Sequence, residues 1–144
     1  MNPKKVFTKE EEGKIVSAIR EAELKTSGEI RVHLAQRCRK TPHEEAVKIF
    51  EKLGMTKTAE RNGILFYLAI QDRKFSVIGD KGIHEKVGPD FWHHVRDGMQ
   101  AEFQKGELVQ GLVEGIRICG EQLVLHFPRR EDDVNELPDE ISKS

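Results

Sequence analysis

Residues 61–80, RNGILFYLAIQDRKFSVIGD, decide the fold. An apolar run of seven residues, 64–70, is followed by Gln71-Asp72-Arg73 and then by a second run of strand formers, 75–78. Two such runs about a short polar turn predict a β-hairpin. Pairing in that hairpin sets Asn62, at the start of the first strand, beside Asp80, at the end of the second. An amide oxygen and a carboxylate then share one rim of a sheet, next to the unhindered backbone of Gly63, Gly79 and Gly82. The first run is apolar throughout apart from Tyr67. That is the pattern of a strand covered on both faces, so it belongs in the middle of its sheet with helices on both sides.

Working outward, Thr8-Lys9-Glu10-Glu11 fits a capping box, and Ile15, Ala18, Ile19 and Ala22 recur on one helical face, predicting a helix over about 9–24. Lys25-Thr26-Ser27-Gly28 breaks it. Ile30, Val32 and Leu34 then alternate with Arg31 and His33, which predicts a strand with only one face fully buried, near an edge. Thr41-Pro42-His43-Glu44 opens a second helix, whose inner stripe of Ala46, Ile49, Phe50 and Leu53 ends at Gly54. Strand, helix and strand in this order imply a right-handed parallel crossover. After Asp80 a short turn or helix around 83–87 precedes Gly88-Pro89, and a further helix carries Phe91, Val95, Met99 and Phe103 as far as Gly106. The last helix, about 107–125, turns Leu108, Leu112, Ile116, Cys119 and Leu123 inward. Its Gly111 and Gly115 permit a close neighbour, although each costs roughly 1 kcal/mol of helix propensity against alanine. The order of elements is that of an α/β fold, a three-layer α/β/α sandwich with a small mixed sheet that joins a parallel crossover to an antiparallel hairpin.

At 144 residues the chain fits one domain, expected over 1–128, with an acidic tail at 129–144. The tail carries six acidic residues and few apolar ones, so it either stays disordered or is laid along the domain by Val134, Leu137 and Ile141. Lys and Arg total 24 against 25 Asp and Glu, and the net charge of −1 gives no global field to attract nucleic acid or an anionic membrane. MNPKKVFTKEEEGK has no apolar core of signal-peptide length, and no run of roughly 18 apolar residues occurs. A soluble, cytoplasmic monomer is the expectation, with Cys38 and Cys119 as free thiols.

Glu29 begins the first strand, parallel to the strand that Asn62 begins, so Glu29, Asn62 and Asp80 converge on one rim. Two carboxylates about 4 Å apart repel by roughly 1 kcal/mol in water and about 4 kcal/mol at a protein surface, a penalty that a bound cation removes. Oxygen-only ligands favour calcium or magnesium over zinc, and carbonyls beside glycines suit the higher coordination number of calcium. The six histidines show no zinc spacing, and no contiguous calcium loop is present. The opposite rim carries Gln36-Arg37-Cys38-Arg39-Lys40, the helix start at Thr41-Pro42 and the hairpin turn Asp72-Arg73-Lys74, which suits either an anion or a solvated loop in which Asp72 pairs with Arg73.

Several segments carry a family resemblance: Thr26-Ser27-Gly28-Glu29-Ile30, Arg61-Asn62-Gly63-Ile64-Leu65 with Tyr67-Leu68-Ala69, Asp72-Arg73, Gly79-Asp80-Lys81-Gly82-Ile83, Phe91-Trp92 and Asn135-Glu136-Leu137-Pro138. In order and spacing they resemble the TPM domain family, which includes a thylakoid-lumen acid phosphatase and photosystem II repair factors. The resemblance covers nearly the whole chain. It implies an α/β/α sandwich, divalent-cation binding with calcium among the ions, and for some members phosphomonoester hydrolysis. Taken with the residues, this leads to the expectation of a module that binds calcium or magnesium through Glu29, Asn62 and Asp80 and acts on a protein partner. The alternative is a metal-dependent, acid phosphatase-like enzyme.

Overall fold

A computed structural model describes residues 6–130 and 137–144. The hairpin is present. β2 (Gly63–Ala69) and β3 (Lys74–Gly79) pair antiparallel with Leu65 opposite Ile78 and Tyr67 opposite Ser76. Residues 70–73 make the turn, closed by the Arg73 N–H on the Ile70 carbonyl at 3.3 Å, with Arg73 in the left-handed region at φ 53°. β1 (Glu29–Ala35) runs parallel to β2, with Glu29 opposite Gly63, and β4 (Ser142–Lys143) runs parallel to β1, giving the order β3-β2-β1-β4.

The helices start and stop where the caps dictate. α1 (Lys9–Glu23) opens on a reciprocal box in which Thr8 Oγ1 accepts from the Glu11 N–H at 3.1 Å and Glu11 Oε1 accepts from the Thr8 N–H at 2.9 Å. α2 (Pro42–Lys52) opens on Thr41, whose Oγ1 accepts from the Glu44 N–H, and it gives way to a 3-10 turn at Met55–Lys57. α3 (Lys81–Val87), α4 (Pro89–Gln104) and α5 (Leu108–His126) follow. Ile30, Val32, Leu34, Ile64, Phe66 and Leu68 point to one side of the sheet, into a core built with α1, α3, α4 and α5. Ala35, Leu65, Tyr67 and Ala69 point to the other, against Ala46 and Phe50 of α2 and Met55. Two covered faces make three layers, and each fully buried aliphatic side chain contributes about 1.5–3 kcal/mol. Cβ atoms at Gly111 and Gly115 would collide with Phe103 and with Met99 and Phe66, so these glycines serve close packing of α5 on α4 and the sheet.

One expectation is corrected. Arg31 and His33 alternate with apolar residues but do not mark a half-exposed face, being only 8% and 3% exposed. The chain's own C-terminal segment covers them. His33 Nδ1 and Nε2 meet the hydroxyls of Ser142 and Ser144 at 3.0 and 2.9 Å, and Arg31 Nη2 donates to the Glu140 carbonyl at 3.4 Å. The Ser144 N–H continues the ladder onto the Leu34 carbonyl at 3.0 Å. Desolvation, reinforced by the charges of Arg31 and Lys52, pushes the His33 pKa down to about 4. Residues 137–144 are thus laid along the domain, with Leu137 against the α2 core and Ile141 against the other. Val134, the third expected anchor, lies outside the described residues. Beneath this segment the Glu23 carboxyl accepts from the Ile30 N–H at 2.8 Å, and burial, followed by its hydrogen bond with Asp139, pushes its pKa up to about 9. Both cysteines are free and buried. Among the described residues no helix is long and apolar enough to cross a membrane.

Candidate functional site

The expected rim forms from three chain segments at the start of β1, the start of β2 and the end of β3. The Glu29 N–H reaches the Asn62 carbonyl at 3.5 Å, and the Asp80 N–H bonds the Gly63 carbonyl at 2.9 Å. Glu29, Asn62 and Asp80 are 2%, 1% and 8% exposed. Registry sets Glu29 and Asp80 opposite Gly63 on its two sides, so their Cα atoms stand about two strand spacings, roughly 9.6 Å, apart. The segments converge, yet each side chain has a different partner.

Asp80 faces Arg61. The guanidinium grips the carboxylate in a fork, Nε to Oδ2 at 2.6 Å and Nη2 to Oδ1 at 2.8 Å, and the same Oδ1 accepts from the Lys81 N–H at 2.8 Å as the cap of α3. The fork raises the Arg61 pKa. Arg61 occupies the left-handed region at φ 53°, unusual outside glycine, in order to present it. Glu29 faces the C-terminal segment, with Oε2 accepting from the Leu137 N–H at 2.6 Å. Asn62 turns its Nδ2 to Ser27 Oγ at 3.1 Å, and Ser27 gives its own hydrogen to Glu60 Oε2 at 3.4 Å. That direction of donation leaves Asn62 Oδ1 as a buried acceptor with no hydrogen-bond partner, a state that costs about 1–3 kcal/mol unless something fills it.

Two of the three glycines expected to leave the rim open are filled from within. Trp92 lies over Gly79 and the carbonyls of Glu60 and Arg61 over Gly82, whereas a Cβ at Gly63 would meet Met55 and Phe50 only at ordinary contact distances of 3.4–3.7 Å. A Cβ at Gly79 or Gly82 would collide with the neighbours that already occupy that space. Among the described residues no group of three His, Cys, Asp or Glu side chains is placed to hold a metal ion. Arg61, Ser27 and Glu60 are the participants that spacing did not single out. Arg61 and Ser27 adjoin the expected ligands in sequence, but neither a left-handed arginine nor a fork to a residue 19 positions later leaves a periodic signal.

At the opposite rim Asp72 is satisfied by its own loop neighbours. Asp72 Oδ2 accepts from the Cys38 N–H at 2.7 Å and Oδ1 meets Arg37 at 3.2 Å, so the pair is with Arg37 across the loop and not with the neighbouring Arg73. The Cys38 N–H first, and then Arg37 and Lys74, hold the Asp72 pKa below its usual value. The N-terminus of α2 faces its own Glu44 and Glu45, which answer the helix dipole that an anion would otherwise use.

The model of the TPM domain family matches residues 1–122. The BA42 protein of the psychrophilic bacterium Bizionia argentinensis, solved by NMR, is 45% identical over 97% of both chains with a TM-score of 0.90. An N-terminal domain from P. gingivalis shares the fold at 18% identity and TM-score 0.69, covering 88% of this chain and 84% of that one. An N-terminal domain from Corynebacterium glutamicum does so at 11% and 0.65, covering 82% and 74%. No curated protein matches the sequence.

Proposed function

This chain belongs to the TPM domain family, and on that footing we propose that it is a divalent-cation-binding module, with the ion held at the rim by Glu29, Asn62 and Asp80. The observation that supports this reading is Asn62 Oδ1, a buried oxygen with no hydrogen-bond partner, just before β2 and between the start of β1 and the end of β3, which bring up the buried carboxylates of Glu29 and Asp80. The donor set is all oxygen and therefore hard, which selects calcium or magnesium, with calcium first. Asp80 is not idle in this arrangement, since the Arg61 guanidinium supplies its positive partner. A cation competes with Arg61 for that carboxylate, so its charge replaces one already present. Calcium affinity is accordingly modest. The ion orders the rim and the C-terminal segment that Glu29 holds, and the module acts by presenting that surface to a protein partner in the cytoplasm.

A thermal melt with excess calcium against one with chelator tests the reading, because a ligand that binds only the folded state raises the midpoint by mass action. The midpoint rises, and amide signals of Glu29, Asn62 and Asp80 shift. Equal midpoints with no such shifts reject the site. Arg61→Asn, which tolerates the left-handed backbone and removes the competing guanidinium, tightens calcium binding several-fold.

The family resemblance favours a second reading, metal-dependent phosphomonoester hydrolysis, in which the bound ion would polarise a phosphoryl oxygen. If that reaction occurs here, Asp80→Asn and Glu29→Gln each abolish it while the cores stay folded. Hydrolysis no faster than that of Asp80→Asn, with either ion present, leaves the binding module standing alone.

A further inference from the structure

β3 is an outer strand, and β2 is its only strand neighbour among the described residues. The Asp80 N–H, bonded to the Gly63 carbonyl opposite it, fixes the phase of the ladder. Bonded positions alternate in an antiparallel pair with positions whose backbone groups face the other way. Ile78, Ser76 and Lys74 therefore bond to β2, while Val77 and Gly79, like Phe75, turn N–H and C=O outward. Such a row is a template for another strand, and proteins either blunt it or use it.

A groove follows that edge. Its floor is residues 76–79, and its walls carry His43 from α2, His84 from α3, and Trp92, His93 and Arg96 from α4. α4 runs alongside the strand, for Trp92 covers Gly79 and Phe103 meets Phe75 edge-on with ring centroids 4.9 Å apart. The Trp92 indole N–H donates to His84 Nδ1 at 2.9 Å, so the hydrogen of the neutral imidazole sits on Nε2 and remains available as a donor. Among the described residues no carboxylate lines the groove. Glu51 enters only in the adjoining hollow beside Asp80, whose own charge Arg61 meets. One permanent cation and three imidazoles thus flank an unpaired row of backbone, with no anion among them.

We propose that this groove binds an extended acidic peptide, which pairs with β3 as an additional strand and sets its carboxylates against Arg96 and the flanking imidazoles. Backbone bonds to Val77 and Gly79 supply register, and the charged wall selects acidic side chains. The periods agree. The four residues from Trp92 to Arg96 advance about 6 Å along the helix, close to the roughly 6.6 Å between alternate residues of a strand, so carboxylates at every second peptide position meet the α4 wall. The intervening residues face α2, where Ile78 and Val47 offer apolar surface.

The test is fluorescence polarisation with a labelled peptide of alternating Glu and Val beside its Lys and Val counterpart, in chelator so that failure of the cation site leaves the result untouched. Trp92, the only tryptophan, gives a second readout. The acidic peptide binds and the basic one does not, amide shifts centre on Phe75, Val77 and Gly79, and N-methylation of the peptide's pairing amides abolishes binding. Arg96→Glu weakens binding about tenfold, and since Arg96 is exposed the variant keeps its fold. His93→Glu acts in the same direction. Equal affinity for both peptides, shifts centred elsewhere, or undiminished binding of the N-methylated peptide overturns the proposal. So does displacement of the peptide by inorganic phosphate at comparable concentration, which marks a small-anion site.

Discussion

At the β1 edge the chain completes its own sheet, whereas at the β3 edge no further strand is added among the described residues. The first edge receives residues 137–144, and their pairing takes Glu29, Arg31 and His33 out of water and binds the segment down through buried polar contacts. The second edge keeps outward backbone groups at Val77 and Gly79 under a wall of imidazoles and one guanidinium. Both strands lie beside the same central β2, so the difference does not come from the hairpin. It comes from the segment 137–144, which pairs with the first edge and not with the second. The acidic residues of that segment gain little from burial as side chains. Most of its hold comes from main-chain groups and from Leu137 and Ile141.

The sharpest way to break this contrast is to cut the chain after residue 136. That removes the Ser144 to Leu34 ladder bond, the hydroxyl contacts of His33 and the Leu137 N–H on Glu29. At about 1 kcal/mol net for each of these four hydrogen bonds, urea unfolding records a loss of about 4 kcal/mol. A loss under about 1 kcal/mol removes the distinction between the two edges.

The closed edge also carries titrating groups, and their signs differ. The Glu23 pKa is about 9 folded against 4.5 unfolded, so between those values the folded state holds a proton that the unfolded chain has released, and stability falls as pH rises. The His33 pKa is about 4 folded against 6.5 unfolded, so between those values the unfolded chain holds the extra proton, and stability falls as pH drops. The two slopes offset between about pH 4.5 and 6.5. From about 6.5 to 9 Glu23 acts alone, at up to roughly 1.4 kcal/mol per pH unit. Melting followed by circular dichroism stays level through the first window and declines through the second. Glu23→Gln keeps an acceptor for the Ile30 N–H and flattens the decline. Parallel curves for the two proteins over pH 6.5–9 would show that Glu23 does not titrate there.

The smallest effect needs no mutation. At the open edge the Val77 and Gly79 amides, which bond no strand, exchange with solvent faster than those of Ser76 and Ile78, by orders of magnitude in native-state exchange. Equal protection along β3 would mean that this edge too is covered.

Local chemistry determined much of this protein from sequence alone. The Thr8 box, the Thr41-Pro42 start and Gly54 fixed where α1 and α2 begin and where α2 ends, because capping involves groups within four residues of one another. The unbroken run from Ile64 identified a central strand, because burial on both faces excludes polar alternation. The meeting of the Glu29, Asn62 and Asp80 segments followed from the hairpin and the crossover. Tertiary structure decided the remainder. Arg31 and His33 read as half-exposed since period two reports which face a residue takes and cannot report what later covers that face. Arg61 became the partner of Asp80, and Trp92 filled the space over Gly79, through contacts between residues far apart in the chain. Spacing places the backbone of such residues at one rim, but the direction in which each carboxylate turns depends on which donor the folded chain brings within about 3 Å.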